Sequence, residues 1–243
     1  MMLAFHNDAA LKARKLAQVR AHEAADEVIK GQYWENGKGC AVGCTVHSSS
    51  HVAYETEMGI PQMLARLEDR IFEGMSNAEA KRFPARFIEA ISVGADLSLV
   101  GWKFLHWLVA DVNERYGTLA TKVAVVDAIE ILRRKSIGES VNPVDARNAE
   151  ATARKAEAAA YAAAYAAAAA AYAADAAAAA AAYAAADAAY AAAADAAYAA
   201  AAAAAAAYAA DAAYAADARK KAFDRQAEKL LELLAAAPIP AAA

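Results

Sequence analysis

The reactive side chains of this sequence concentrate between Gly37 and Glu55. That stretch holds both cysteines of the chain and two of its five histidines. Cys40, Cys44, His47 and His51 are spaced four, three and four apart. On one helix they would share a face, and Tyr54 and Glu55 would continue it. Neighbouring pairs at that spacing can ligate a metal, but four ligands strung along one helix cannot reach the same ion. A zinc site normally brings two short pairs together through a turn, which Gly43 or the run Ser48–Ser50 can supply. Zinc or another transition metal is therefore the alternative to no cofactor. Nucleophilic catalysis is a second chemistry: a cysteine needs a base or a positive charge beside it to become thiolate. Lys38, His47 and His51 are candidates for that role, with Glu55 to orient a histidine. A phosphate cradle on Gly37, Gly39 and Gly43 fails, because no Gly-Lys-Ser/Thr follows. The plainer alternative is a close-packed turn, with glycines for close approach, cysteines as small core residues, and His and Ser satisfying backbone groups.

The elements that must position these residues read as helices. Asn7 or Asp8 can cap a helix running through Leu11, Leu16, Val19 and Ile29, with Gly31 to end it. His22-Glu23 and Asp26-Glu27 on that helix can face the loop. Residues 31–51 read as a loop rich in Gly and Ser. Pro61 suits the first turn of a helix with Met63, Leu64, Leu67, Ile71 and Phe72 on one side, stopped by Gly74. Glu68, Asp69 and Arg70 read as the solvated face of that helix. Ser76 and Glu79 match a capping box for a short helix, and Pro84 restarts the chain. Asp96 can cap a segment carrying Val100, Phe104, Trp107 and Leu108. His106, close to Trp102 and Trp107, reads as packed. Thr118 can cap Leu119 to Lys135. No stretch combines strand alternation with a convincing hairpin turn.

Asn142-Pro143 is a strong helix start. Val144 to Ala237 contain no Gly and no Pro. Within them, residues 158–218 contain 48 Ala, 8 Tyr and 5 Asp and nothing else. Ala is the best helix former, so this region is predicted helical. One rod over residues 143–236 would be roughly 140 Å long, and tightly packed antiparallel Ala-rich helices are the alternative. Tyr161, Tyr172 and Tyr183 are 11 apart, a spacing of roughly 3.67 residues per turn. On that period Tyr161, Tyr165, Tyr172, Tyr183, Tyr190 and Tyr198 form one stripe. An Ala rod alone buries little apolar area, so the stripe is expected to meet another tail or the head.

The formal charge is −4, from 25 Lys+Arg against 29 Asp+Glu, so no polyanion-binding field arises. With five Asp and no base between Glu157 and Arg219, the Tyr row is not a nucleic-acid platform. Hydrophobic residues make up 60% of the chain, yet much of that is Ala, and Asp breaks the Ala segment too often for a membrane span. The N-terminus has no secretory h-region. Two cysteines four apart make no disulfide framework, which points to a reducing, cytoplasmic setting.

The run Gly37-Lys-Gly-Cys-Ala-Val-Gly-Cys-Thr-Val-His47 resembles a family of bacterial and phage proteins. So do Ala53-Tyr-Glu, Gly59-Ile-Pro, Leu67-Glu-Asp-Arg-Ile-Phe-Glu and Val93-Gly-Ala-Asp-Leu-Ser. Members pair such a head with an Ala-rich repeat carrying periodic aromatics. The resemblance covers about Ala21 to Val109 and, in kind, the tail. It implies that architecture and a phage or bacterial defence setting, and assigns no catalytic residue. In composition alone, the tail also resembles some immunity proteins of toxin systems.

The expectation is an all-α protein. Residues 1–140 form a compact helical head with a Gly/Cys/His/Ser loop at 31–51. Residues 143–236 form a very long Ala-rich helix or packed helices, and 237–243 a disordered or capping end. Leu230, Leu233 and Leu234 form an amphipathic patch able to dock on the head or a partner. Functionally, the expectation is a non-enzymatic interaction protein, a homo-oligomer or partner of another protein through Tyr161, Tyr165, Tyr172, Tyr183, Tyr190 and Tyr198. The alternative is an enzyme or metal protein centred on Cys40, Cys44, His47, His51 and Glu55.

Overall fold

A computed structural model describes residues 2–116, 122–123, 126–142, 144–145, 148, 152 and 217–241. The described chain is mostly helical, as expected, with one two-stranded sheet. Most of the rod expected over residues 143–236, and the whole Tyr stripe at 161–198, fall outside the described residues. Among the described residues, no helix is long and apolar enough to cross a membrane.

Local chemistry sets the helix ends. Asp8 caps α1 (Ala9–Ala24) by accepting from the Ala10 N–H at 2.8 Å. Ahead of it Phe5, His6 and Asn7 form a left-handed turn that buries Phe5. α1 stops seven residues before Gly31, because Asp26 turns left-handed at φ 58° and the chain straightens beside the next hairpin. Ser76 accepts from the Glu79 N–H and starts α5 (Asn77–Ala90). Pro84 does not restart the chain: α5 continues through it. Phe83, Phe87 and Ile88 are all buried on this helix, and that apolar packing outweighs the missing backbone bond.

The core lies between α1, α4 (Gln62–Gly74), α5 and the start of α6 (Val100–Tyr116). Tyr54, Leu64, Ile71, Phe72, Phe83, Phe87 and Phe104 fill it. α7 (Val126–Ser136) packs along α6. The last helix, residues 217–235, returns to the same core. Ala227, Leu230 and Leu234 are fully buried there, and Leu233 packs against them. The Phe223 ring takes the space a side chain at Gly74 would need: a Cβ there would sit 2.3 Å from it. Arg86 donates to both carboxylate oxygens of Glu228, and the Asp96 N–H donates to Pro238 O at 2.8 Å. Residues 230–234, read from composition as part of the tail, thus complete the core of the head.

Candidate functional site

The loop at 31–51 is an ordered hairpin and helix. Strands β1 (Trp34–Glu35) and β2 (Lys38–Gly39) pair antiparallel, joined by Asn36-Gly37. Both turn residues have positive φ, 51° and 80°, as a two-residue type I′ turn requires. Asn-Gly is the strongest short hairpin signal in a sequence, and it sits inside the stretch 31–51 that its Gly and Ser content marks as a loop. α2 (Ala41–Val46) follows directly, with Cys40 at its N-cap.

Glycines 39 and 43 let α2 press on the hairpin backbone. A Cβ on Gly39 would lie 2.0 Å from the Tyr33 carbonyl oxygen, and one on Gly43 1.4 Å from it. The same carbonyl region receives the Cys40 N–H, at 2.7 Å from Gln32 O and 3.2 Å from Tyr33 O. Gly39 also bonds the chain after α1: its N–H donates to Glu27 O and its carbonyl accepts from the Ile29 N–H. The Gly-x-x-x-Gly spacing of the motif therefore serves three-way backbone packing.

This scaffold separates the four Cys and His candidates. α2 ends at Val46, and His47 takes a left-handed C-cap position at φ 52°. The Ser48–Ser50 run then turns the chain before α3 (Ala53–Met58). The expected shared face is broken, and the two histidines join different clusters.

The inner cluster gathers on α4. His51 Nε2 lies 3.3 Å from Asp69 Oδ2, the Tyr33 hydroxyl donates to the same oxygen at 3.4 Å, and the Tyr33 and His51 rings meet edge to face. The Cys40 thiol faces this carboxylate too. Below it Tyr54 donates to Glu68 Oε2 at 2.6 Å, both side chains being completely buried. Glu68 Oε1 has no hydrogen-bond partner among the described residues. Burial pushes the Glu68 carboxyl up to about 8 against the pull of the Tyr54 bond, with Asp69 adding to the rise. Burial also pushes both thiols up to about 12. The Cys44 thiol points at Gly39 O, 3.3 Å away. Burial therefore disfavours the thiolate at either cysteine.

The outer cluster lies across the hairpin. Glu27 Oε2 is 2.6 Å from His22 Nδ1, and His22 Nε2 is 2.9 Å from His47 Nε2. Trp34 stacks on His47 with ring centroids 4.2 Å apart, and meets His22 edge on. Strand alternation explains the partition: the adjacent residues Tyr33 and Trp34 serve opposite clusters. A carboxylate only accepts, so Glu27 holds the proton on His22 Nδ1 and leaves the Nε2 lone pair toward His47. His47 is exposed at the surface. Partial burial, then the charges of His22 and Lys15, lower its pKa and favour the neutral ring.

Glu55 orients neither histidine. Its Oε1 accepts from the Gln62 N–H at 2.8 Å and caps α4. The carboxylates that reach the imidazoles are Glu27 and Asp69, the second of which the sequence placed on a solvated face. Glu68 beside it is buried, and its spacing was the available signal: it stands four residues from both Leu64 and Phe72 on the apolar stripe. Lys38 is exposed on β2 and makes no cysteine contact given by the structure. Among the described residues, no three His, Cys, Asp or Glu side chains form a ready-made metal cage. Comparison with protein-family models, with curated proteins and with solved structures finds no match.

Proposed function

We propose that this is a non-enzymatic interaction protein that presents its Ala/Tyr segment from a helical head and self-associates through it. The supporting observation is that the head holds the chain on both sides of that segment. On the N-terminal side, α7 packs on α6, and Asn142 Oδ1 accepts from the Val144 N–H at 2.9 Å. On the C-terminal side, Ala227, Leu230 and Leu234 enter the core, and Pro238 O receives the Asp96 N–H. Fixing a chain on both sides of a segment lowers the entropy cost of ordering that segment against a second copy. Burial raises both thiols, which favours this reading over one that needs a cysteine nucleophile.

Sedimentation velocity on the full-length protein tests this, comparing the natural chain with one carrying Tyr→Ala at 161, 165, 172, 183, 190 and 198. The natural chain is expected to sediment as a multiple of 25.2 kDa, and the variant to shift to monomer while keeping its helical circular dichroism. A natural chain that stays monomeric at every concentration, or a variant that associates as strongly, contradicts the proposal.

A further inference from the structure

We infer that the His22–His47 contact is an acid-sensitive clasp, closed over one face of Trp34 while the two imidazoles share at most one added proton and released when both are charged. The rings meet head-on, Nε2 to Nε2 at 2.9 Å with centroids 5.1 Å apart. Such a contact needs one hydrogen between the two nitrogens and no more. Glu27 Oε2, 2.6 Å from His22 Nδ1, decides which ring supplies it. The carboxylate keeps the His22 proton on Nδ1, so His22 Nε2 accepts and His47 Nε2–H donates. Trp34 lies flat on the His47 ring, 4.2 Å between centroids and 18° from parallel. The bond that holds His47 in place thus also keeps one face of Trp34 covered.

The protons can be followed one at a time. The first arrives at His47 Nδ1, whose lone pair the contact leaves unused. His47 Nε2–H still donates to a neutral His22, so the bond survives and becomes charge-assisted. A cationic ring is also favoured on the Trp34 face. The second proton has only His22 Nε2 left. It sets two N–H groups and two positive rings against each other, and the contact must open. The surroundings place this step. Burial, then His22 and Lys15, oppose charge on His47, and Glu57 favours it. Lys15 is itself held by Glu57 at 2.7 Å and by Thr45 O at 3.1 Å. Glu27 and the carbonyl end of α1, whose last turn carries His22, favour charge on His22. Release therefore falls in mild acid rather than at extreme pH. His47 is the ring that leaves, because it is exposed and followed by exposed Ser49 and Ser50, whereas His22 is half-buried. The unfolded chain takes both protons near the ordinary histidine value of about 6.5. The stability given by the closed clasp is thus present above that pH and is lost as pH falls below it.

The test is a titration of the full-length, tag-free protein from pH 8 to about 4.5, the range in which histidine changes charge. Histidine ring protons are followed by NMR, and Trp34 emission as the difference between the natural chain and Trp34→Phe. The two rings are expected to titrate as a coupled pair, in steps at least about one pH unit apart. Trp34 emission is expected to fall in the upper step, as the stacked ring becomes charged, and to recover in the lower one, as the ring leaves. Far-UV circular dichroism should stay constant throughout. In His22→Gln the amide carbonyl can still hold His47 but takes no proton, so His47 should titrate in one step with no recovery of Trp34 emission. Glu27→Gln removes the charge beside His22 and should move the lower step to lower pH. Independent titration of the two rings at one midpoint overturns the inference. So does a recovery that persists in His22→Gln, or a loss of helical signal across the lower step, which would make the change global unfolding. The coupled steps are read on the natural chain, so they decide the matter whatever a variant does to folding. Self-association does not enter these ring titrations, so either proposal can fail alone.

Discussion

The two histidine clusters are built from the same kinds of residue and lie on either side of one short hairpin, yet they differ in every property that matters for chemistry. On the inner side His51, Tyr33 and Cys40 converge on Asp69, above the buried Tyr54–Glu68 pair. Polar groups there are spent on each other, apart from Glu68 Oε1, which has no hydrogen-bond partner among the described residues. On the outer side Glu27, His22 and His47 run in line to an exposed imidazole. The lesson is that residue type and spacing do not make a site. A polar cluster closed in the interior helps to fix the fold, whereas the outer one leaves an imidazole facing solvent.

The comparison can be broken at its partition. Gly43→Ala puts a methyl group where the Tyr33 carbonyl stands, and the hairpin must move. A loss of about 3 kcal/mol or more is expected, measured by urea denaturation, together with loss of the Trp34 fluorescence environment. A stable Gly43→Ala would mean that the hairpin does not rest on α2.

Glu68→Gln sharpens the inner side. The Glu68 carboxyl titrates at about 8 in the folded chain, well above its unfolded value near 4.3. The folded state therefore holds a proton that the unfolded state releases. Its contribution to stability is complete below pH about 4.3 and is lost as pH rises toward 8, a slope on the order of a few kcal/mol in total. The glutamine variant should flatten stability between pH 5 and 8 and be the more stable chain at pH 8. Parallel curves for the two proteins would contradict the buried, protonated state.

Smaller effects separate the clusters further. Asp69→Asn removes the acceptor shared by His51 and Tyr33 and is expected to cost about 1–3 kcal/mol. Chemical shifts of His22 and His47 should stay unchanged in that variant. His47→Asn sits at the surface and should change stability by less than about 1 kcal/mol. A large loss would make the outer cluster part of the core.

Much of the helical frame was legible. Asp8 and Ser76 act as caps because their short side chains reach the free N–H groups of the first turn. Leu230 and Leu234 form an amphipathic patch in the sequence, and they dock on the head. The site was less legible for identifiable reasons. Asn36-Gly37 joins strands only two residues long, too short to show alternation. Asp69 follows Glu68 in a run of charges, and only the pairing with His51 and Tyr33, 18 and 36 residues away in sequence, draws it inward. His22 and His47 meet across 25 residues, a distance that only the packing of α1 on α2 closes. Pro84 interrupts a helix in propensity but not in fact, since propensity yields to a buried apolar face.

Central to the proposed function is that Cys40 and Cys44 are structural and that the protein binds a partner rather than using thiol chemistry. The most direct measurement is the rate at which each thiol reacts with a disulfide reagent at pH 7.5, in the native protein and in denaturant. Cys40 and Cys44 are no more than 1% exposed, and burial holds both thiols near 12. Both should therefore react in the native protein only as fast as it opens, and at once when unfolded. One thiol reacting in the native state faster than a free cysteine would contradict the claim and return the nucleophile to the loop.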